Sequence, residues 1–473
     1  MKYSKRCDNV TKTELVFKTD QFLTRHFSGE SISYHKIISI IVPILVDQAF
    51  IVCLSLLNTA MISSSGMAAV SAVNMVDSLN IFLVNVFIAV ATGGTVVVAQ
   101  YRGNGNDEMV SKAAANSLSS VFLLAFFISV LIAVFHMPTL NLLFGKADPA
   151  VFSNAKVYLL GSCLSYCGIA MVEAVCGALR GVGETKSSLR LSLTMNLCYV
   201  LLNFVFITIL HMGVLGMVIS LNIARYVGAA YSIYYILRGE TTLHIKVRDA
   251  IRVSSSMLKR IFFIGIPFAA EQMFFNGGKI LTQTFIVQMG VFAMDINAIC
   301  NSIAGLFQIP ANSLLLAMVT VVGQCMGRRN VTDARKFIRS FLWLASASFV
   351  ATALLIMPFI YPIVGLFHPP KEVVPTVIQI IWITTLADIP VWSISFLTPA
   401  ALRAAGDSKF TSISSMLSMW LFRVVLGYVL GIVLPFGIVG VWVAMICEWG
   451  VRGAIFMIRF RGDKWYQHHL IDN

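Results

Sequence analysis

Six carboxylates, on Asp47, Asp77, Glu173, Glu271, Asp388 and Glu448, fall inside long apolar runs where acidic side chains are costly. An ionised group at the centre of a bilayer costs about 2.5 to 3.5 kcal/mol on insertion scales, so such residues need a wet interior or a partner. A carboxylate in apolar surroundings takes up and releases a proton near neutral pH, or holds a hard cation with amide and carbonyl oxygens. Asp47 and Glu271 are candidates for coupling to an ion, because each stands four residues after a proline, Pro43 or Pro267, that frees a backbone carbonyl one turn earlier. Asn58 follows Asp47 on nearly the same helix face, ~16 Å further along, so both are candidate sodium ligands. Asp77 joins them as an ion-coupling candidate. Glu173, Asp388, Gln48 and Gln272 are expected to line a substrate cavity. Arg423 and Glu448 are expected to tie helices together as a structural ion pair, alongside the other intramembrane cations Arg225, Lys279 and Arg452.

Other chemistries find little support. The run from Gly181 to Lys186 lacks the Gly-Lys-Ser/Thr ending of a phosphate loop and joins two apolar runs, so it reads as a helix-helix turn. There is no His-Glu-x-x-His, paired Asp motif or nucleophile elbow. Neither an enzyme nor a cofactor is expected, and no metal beyond sodium. The nine cysteines lie mostly in apolar runs and read as small buried hydrophobes rather than a disulfide framework. His468 and His469 sit in a polar tail and are expected to be solvated.

Hydrophobic residues make up 58% of the 473 positions and charged residues 12%, with a mean hydropathy of +0.82. That is more apolar surface than a soluble core buries, so lipid must cover the excess. A spanning helix needs about 20 mainly apolar residues, and the chain offers about a dozen such runs. A barrel would need segments of about 10 residues alternating in polarity, which the run from Ile37 to Ala60 does not show. The formal charge of +13 suggests nucleic acid only until the basic residues are placed. They crowd into alternate loops, roughly 27 on one side against about 2 on the other. The positive-inside rule then puts both termini in the cytoplasm, which requires an even number of spans. Twelve fits, in a multi-pass protein of the cell membrane.

The chain also repeats. An offset of 224 pairs Pro43 with Pro267, Asp47 with Glu271, Gln48 with Gln272, Gln100 with Gln324, Gly103 with Gly327 and Asn106 with Asn330. An offset of 223 pairs Leu179 and Arg180 with Leu402 and Arg403, and 224 returns for Gly213 with Gly437. Polar, Gly and Pro identities at rare positions make the repeat real. The expected organisation is a cytoplasmic arm of little fixed structure over 1–36, an N-terminal lobe of six helices over 37–238, and a cytoplasmic connector over 239–258. A C-terminal lobe over 259–461 and a tail over 462–473 complete it. Two parallel repeats related by an axis along the membrane normal suit transport by alternating access.

The segments Leu402-Arg403-Ala404-Ala405-Gly406-Asp407-Ser408-Lys409-Phe410, Met419-Trp420-Leu421-Phe422-Arg423, Gly440-Val441-Trp442-Val443-Ala444-Met445 and Glu448-Trp449 resemble the last helices of multidrug and toxic compound extrusion (MATE) transporters. Ala68 to Val73 and Ala91 to Tyr101 extend the likeness into the first half, and it runs over nearly everything from 37 to 465. The resemblance implies an all-α membrane protein with twelve transmembrane helices, built as two pseudo-symmetric six-helix bundles around a central V-shaped cavity. It also implies a monomeric antiporter that exports mainly cationic organic compounds against inward sodium or protons. Members typically carry Asp followed by Thr near the outer part of helix 1, where this chain has Asn58 and Thr59. An amide oxygen still ligates sodium but exchanges no proton. The alternative within transport is a lipid-linked precursor flippase, which shares the helix arrangement but needs a strongly cationic cavity.

Overall fold

The apolar runs form helices because a bilayer leaves no other open backbone satisfied. The computed structural model describes residues 20–21, 23–63, 65–144, 148–238, 242–243, 245, 249, 254–468 and 470–471, and among them there is no strand. The long helices are α1 Tyr34–Ser63, α2 Met67–Asn104, α3 Asp107–Val134, α4 Pro149–Val182, α5 Thr185–Ile209, α6 Gly213–Arg238, α7 Ser255–Gln288, α8 Val291–Gly327, α9 Val331–Gly365, α10 Val374–Ala404, α11 Ser408–Val433 and α12 Gly437–Arg461. Eleven of these are long and apolar enough to cross a membrane. The exception, α7, is interrupted by Glu271, Gln272 and Asn276.

Bundles α1–α6 and α7–α12 have separate cores. One cluster of buried side chains runs from Ile62 to Ile261 around α2 and α4. The other gathers α7 to α12, and Ile37, Ile40 and Ile44 of α1 reach into it. The repeat shows in details with a physical cause. Pro43 and Pro267 lie inside α1 and α7, and each leaves carbonyls of the preceding turn short of donors. Thr185, at the start of α5, donates to the Ser39 carbonyl at 3.1 Å, and Ser408, at the start of α11, donates to the Ile264 carbonyl at 2.9 Å. Asn106 and Asn330 cap α3 and α9 by accepting from the Met109 and Asp333 amides.

The bundles meet where α2 and α8 end, at the face that carries Arg102, Lys112, Arg328 and Arg335, here called the basic end. A Cβ on Gly103 would stand 2.1 Å from the Gln324 carbonyl oxygen, and one on Gly327 would stand 1.9 Å from that of Gln100. Only glycine lets the two backbones approach so closely. The Gln100 side chain donates to the Ala404 carbonyl at the end of α10 at 2.8 Å, and that of Gln324 donates to the Gly181 carbonyl near the end of α4 at 2.9 Å. These reciprocal contacts join the two bundles at the basic end.

Three expectations need correction. The arm is not loose throughout: the Ser31 amide donates to Asp333, Lys336 to the Ser28 carbonyl and Ser340 to the His26 carbonyl, which fasten 26–31 to the start of α9. The tail is also fastened, since Trp465 is fully buried and the His468 imidazole lies 3.3 Å from Asp407. His469, Cys7 and most of the connector lie outside the described residues. Helix α7 begins at Ser255, so the last part of the expected connector belongs to it. The eight described cysteines are all free thiols, and most are buried as expected, Cys53 and Cys447 being exposed.

Candidate functional site

A cavity of about 580 Å³ opens inside the first bundle, between α1, α2, α4, α5 and α6. Its walls carry Asp47, Gln48, Asn58, Asp77 and Glu173, so five of the residues singled out by type and spacing come together. Each is held differently. Asp77 accepts from Asn80 at 3.0 Å and from the Tyr158 hydroxyl at 2.8 Å. Asn80 is itself fixed by Ser162 and Tyr166, so this carboxylate is the end of a buried network. Glu173 lies 3.6 Å from Arg180. The Asn58 side-chain oxygen accepts from Asn203 at 2.8 Å, just ahead of a π-helical turn over Phe204–Ile209.

Asp47 stands apart. It is 6% exposed, and its Oδ1 has no hydrogen-bond partner among the described residues. Ser192 hydrogen-bonds the Asp47 carboxylate, but the remaining oxygen is a buried acceptor without a donor, which is costly for an anion and would be offset by a proton or cation held there. Asn58 lies further along the same wall, and the side chain of Thr59 lies outside the described residues. No group of three or more His, Cys, Asp or Glu suited to a metal occurs among the described residues. A sodium ion here would therefore rely on amide, hydroxyl and carbonyl oxygens beside Asp47, a hard donor set that fits such an ion.

Two cations in the cavity were not foreseen in these roles. Arg180, in the last turn of α4, and Arg225 both line the cavity. Arg225 donates to Ser165 at 2.7 Å. The Leu-Arg pair repeated at 402–403 was the signal available for Arg180.

The remaining candidates lie in the second bundle. Glu271 accepts from Arg403 at 2.9 Å and from Ser412 at 3.0 Å, so it is a buried tie, whereas its repeat partner Asp47 keeps one oxygen without a donor among the described residues. Asp388, on a π-helical turn of α10, is 2% exposed in a separate small cavity with Cys300, Thr384 and Trp442, not beside the other candidates. Gln272 is half-buried and lines neither cavity. The expected Arg423–Glu448 pair does not form. Glu448 faces Arg452 at 3.3 Å, one turn along the same helix, where an i,i+4 partner is nearest. Arg423 instead reaches the Met445 sulfur at 2.9 Å and the Phe275 ring.

A second cavity, of about 170 Å³, lies between α7, α8, α11 and α12 and is lined by Lys279, Asn297, Asn301 and Arg423. A larger groove of about 970 Å³ runs along the outer surface of α9 past Arg335, Arg339 and Trp343. Trp343 is 78% exposed there, so this groove faces the surroundings and not the seam between the bundles.

A family model described as MatE matches residues 43–209 and 267–429, which is one match in each bundle. An uncharacterized transporter, YisQ, of Bacillus subtilis is 27% identical over 90% of this chain and 93% of its own length. A probable multidrug resistance protein, NorM, of Thermotoga maritima is 24% identical over 92% and 94%. Among solved structures, an outward-facing conformation of a multidrug resistance MATE family transporter of the MOP superfamily aligns with a TM-score of 0.82. It does so at 18% identity over 90% of this chain and 94% of that one. That likeness concerns the fold.

Proposed function

The chain belongs to the MatE family of membrane transporters, and on that footing we propose that it is a secondary active antiporter. It exports small cationic or amphipathic organic compounds in exchange for sodium or protons. The basic end faces the cytoplasm of a cell membrane with both termini on that side, and the protein works as a monomer. The observation that carries this reading is the Asp47 carboxylate oxygen left without a donor among the described residues on the wall of the first-bundle cavity, in a molecule whose bundles are joined at the basic end. In this joined state Asp47 takes a sodium ion or a proton from outside. Charge neutralisation there, followed by parting of the Gln100 and Gln324 contacts, gives the alternation that antiport requires.

A lipid-linked precursor flippase needs cations at its cargo site. The first-bundle cavity instead holds Asp47, Asp77 and Glu173 against Arg180 and Arg225, which favours a cationic cargo group. The test is efflux of ethidium from proteoliposomes under separately imposed sodium and proton gradients. Acceleration by one gradient is expected, and a rate unchanged by both would refute ion-coupled export of such cations.

A further inference from the structure

The second-bundle cavity is the repeat counterpart of the first. Applying the offset of 224, Ser55, Asn58, Ile62, Asp77, Met217 and Leu221 become Lys279, Thr282, Ile286, Asn301, Val441 and Met445. All six of the former line the larger cavity and all six of the latter line the smaller one. The backbone pocket has been duplicated, but its polarity has been reversed. A hydroxyl became an ammonium at 279, and a carboxylate became an amide at 301.

The cations of this bundle are not balanced. Arg403 is taken by Glu271 at 2.9 Å and Arg452 by Glu448 at 3.3 Å. Lys279 and Arg423 have no carboxylate within ion-pair distance among the described residues. Lys279, Arg423 and Arg452 instead surround one ring, that of Phe275, at 4.9, 5.7 and 5.7 Å from its centroid. Among the described residues the Arg423 Nε is buried without a partner, and the guanidinium's one hydrogen-bond acceptor is a thioether sulfur, a poor substitute for oxygen. Like charges gathered around an aromatic face in a membrane interior are strained unless an anion joins them.

We propose that this pocket binds an oxyanion of the transported molecule, a carboxylate or a group of similar charge, between Lys279 and Arg423, with Asn297 and Asn301 as further donors. The molecule carried is then zwitterionic as well as amphipathic. Its cationic part goes to the first-bundle cavity and its anionic part to the second. This rests on the reading of the chain as an exporter, but it is tested by binding, which needs no gradient, so the two fail separately.

The probe is a rhodamine with its free carboxylate, compared with the methyl ester of the same dye. Binding to the detergent-solubilised full chain is followed by fluorescence polarisation. Lys279→Gln and Arg423→Gln are each expected to weaken the free-acid dye about tenfold, the scale of one lost charge-assisted hydrogen bond, while the ester changes less than about twofold. Lys279→Arg should retain the free-acid dye, which separates loss of charge from loss of fold. Equal weakening of both dyes, or no change in either, overturns the assignment. Displacement of the free-acid dye by equimolar inorganic phosphate also overturns it, since the pocket would then serve a free anion and not the cargo.

Discussion

At matching positions of the two bundles the same pair of residue types has been put to different use. In the second bundle Glu271 and Arg403 are bonded to each other. In the first, Arg180 turns to Glu173, which has no acidic counterpart in the second, and Asp47 is left with a free oxygen. Glutamate also reaches one methylene further than aspartate, which brings its carboxylate to the arginine. One added acid, Glu173, therefore leaves the repeated acid-arginine pair unjoined in the first bundle. Duplication conserved the helix path, while a few side chains decided how that pair is used.

The largest effect expected from this contrast is that of Asp47→Asn, which should reduce gradient-driven efflux to the level of protein-free liposomes while the protein remains folded by circular dichroism. Efflux close to wild type would remove Asp47 from the coupling step. The matching change, Glu271→Gln, should act on stability instead, because it leaves Arg403 buried and unpaired at a cost of about 3 to 5 kcal/mol. A lowered Tm in detergent would show this, and adding Arg403→Gln should recover part of it. If Glu271→Gln left Tm unchanged and abolished efflux, the two acids would have one role and the contrast would be lost.

A smaller effect is expected where the bundles still agree. Gly103→Ala and Gly327→Ala each force a methyl group onto a carbonyl of the opposite helix, an overpacking of about 1 to 3 kcal/mol against the joined state. Hydrogen exchange at the ends of α2 and α8 should rise in both variants by similar amounts, and a rise in only one would break the pseudo-symmetry of the junction. The smallest change expected is that of Asn58→Asp. It adds a titratable ligand to the wall that holds Asp47 and should shift the balance between sodium- and proton-driven efflux without changing Tm. An unaltered ion dependence would leave that position idle.

The spans and the repeat were legible in the sequence because lipid demands long apolar runs and because Gly, Pro and amide identities are rare within them. The first-bundle cavity was partly legible for the same reason, since acids placed in such runs point inward. Its cations were less so: Arg225 was legible as intramembrane but not as a wall of this cavity, and Arg180 lies in the last turn of α4 beside Gly183, where sequence alone does not show that it reaches inward. Arg423 was matched to Glu448 by sign alone, whereas helix geometry gives that acid to Arg452. The polarity reversal at Lys279 and Asn301 could not be read from sequence identity, because it lies where the two halves differ.

The junction at the basic end has a thermodynamic consequence. Its amide-to-carbonyl bonds from Gln100 and Gln324 join neutral groups, and water satisfies the same groups once the bundles part. Exchanging such a bond for hydration changes the free energy by only about 1 kcal/mol. The latch is therefore weakly biased by its polar contacts, and under the proposed antiport modest differences in how cargo and ion bind the two states would suffice to tip it. A device held by opposite charges would need far more work per cycle to reopen.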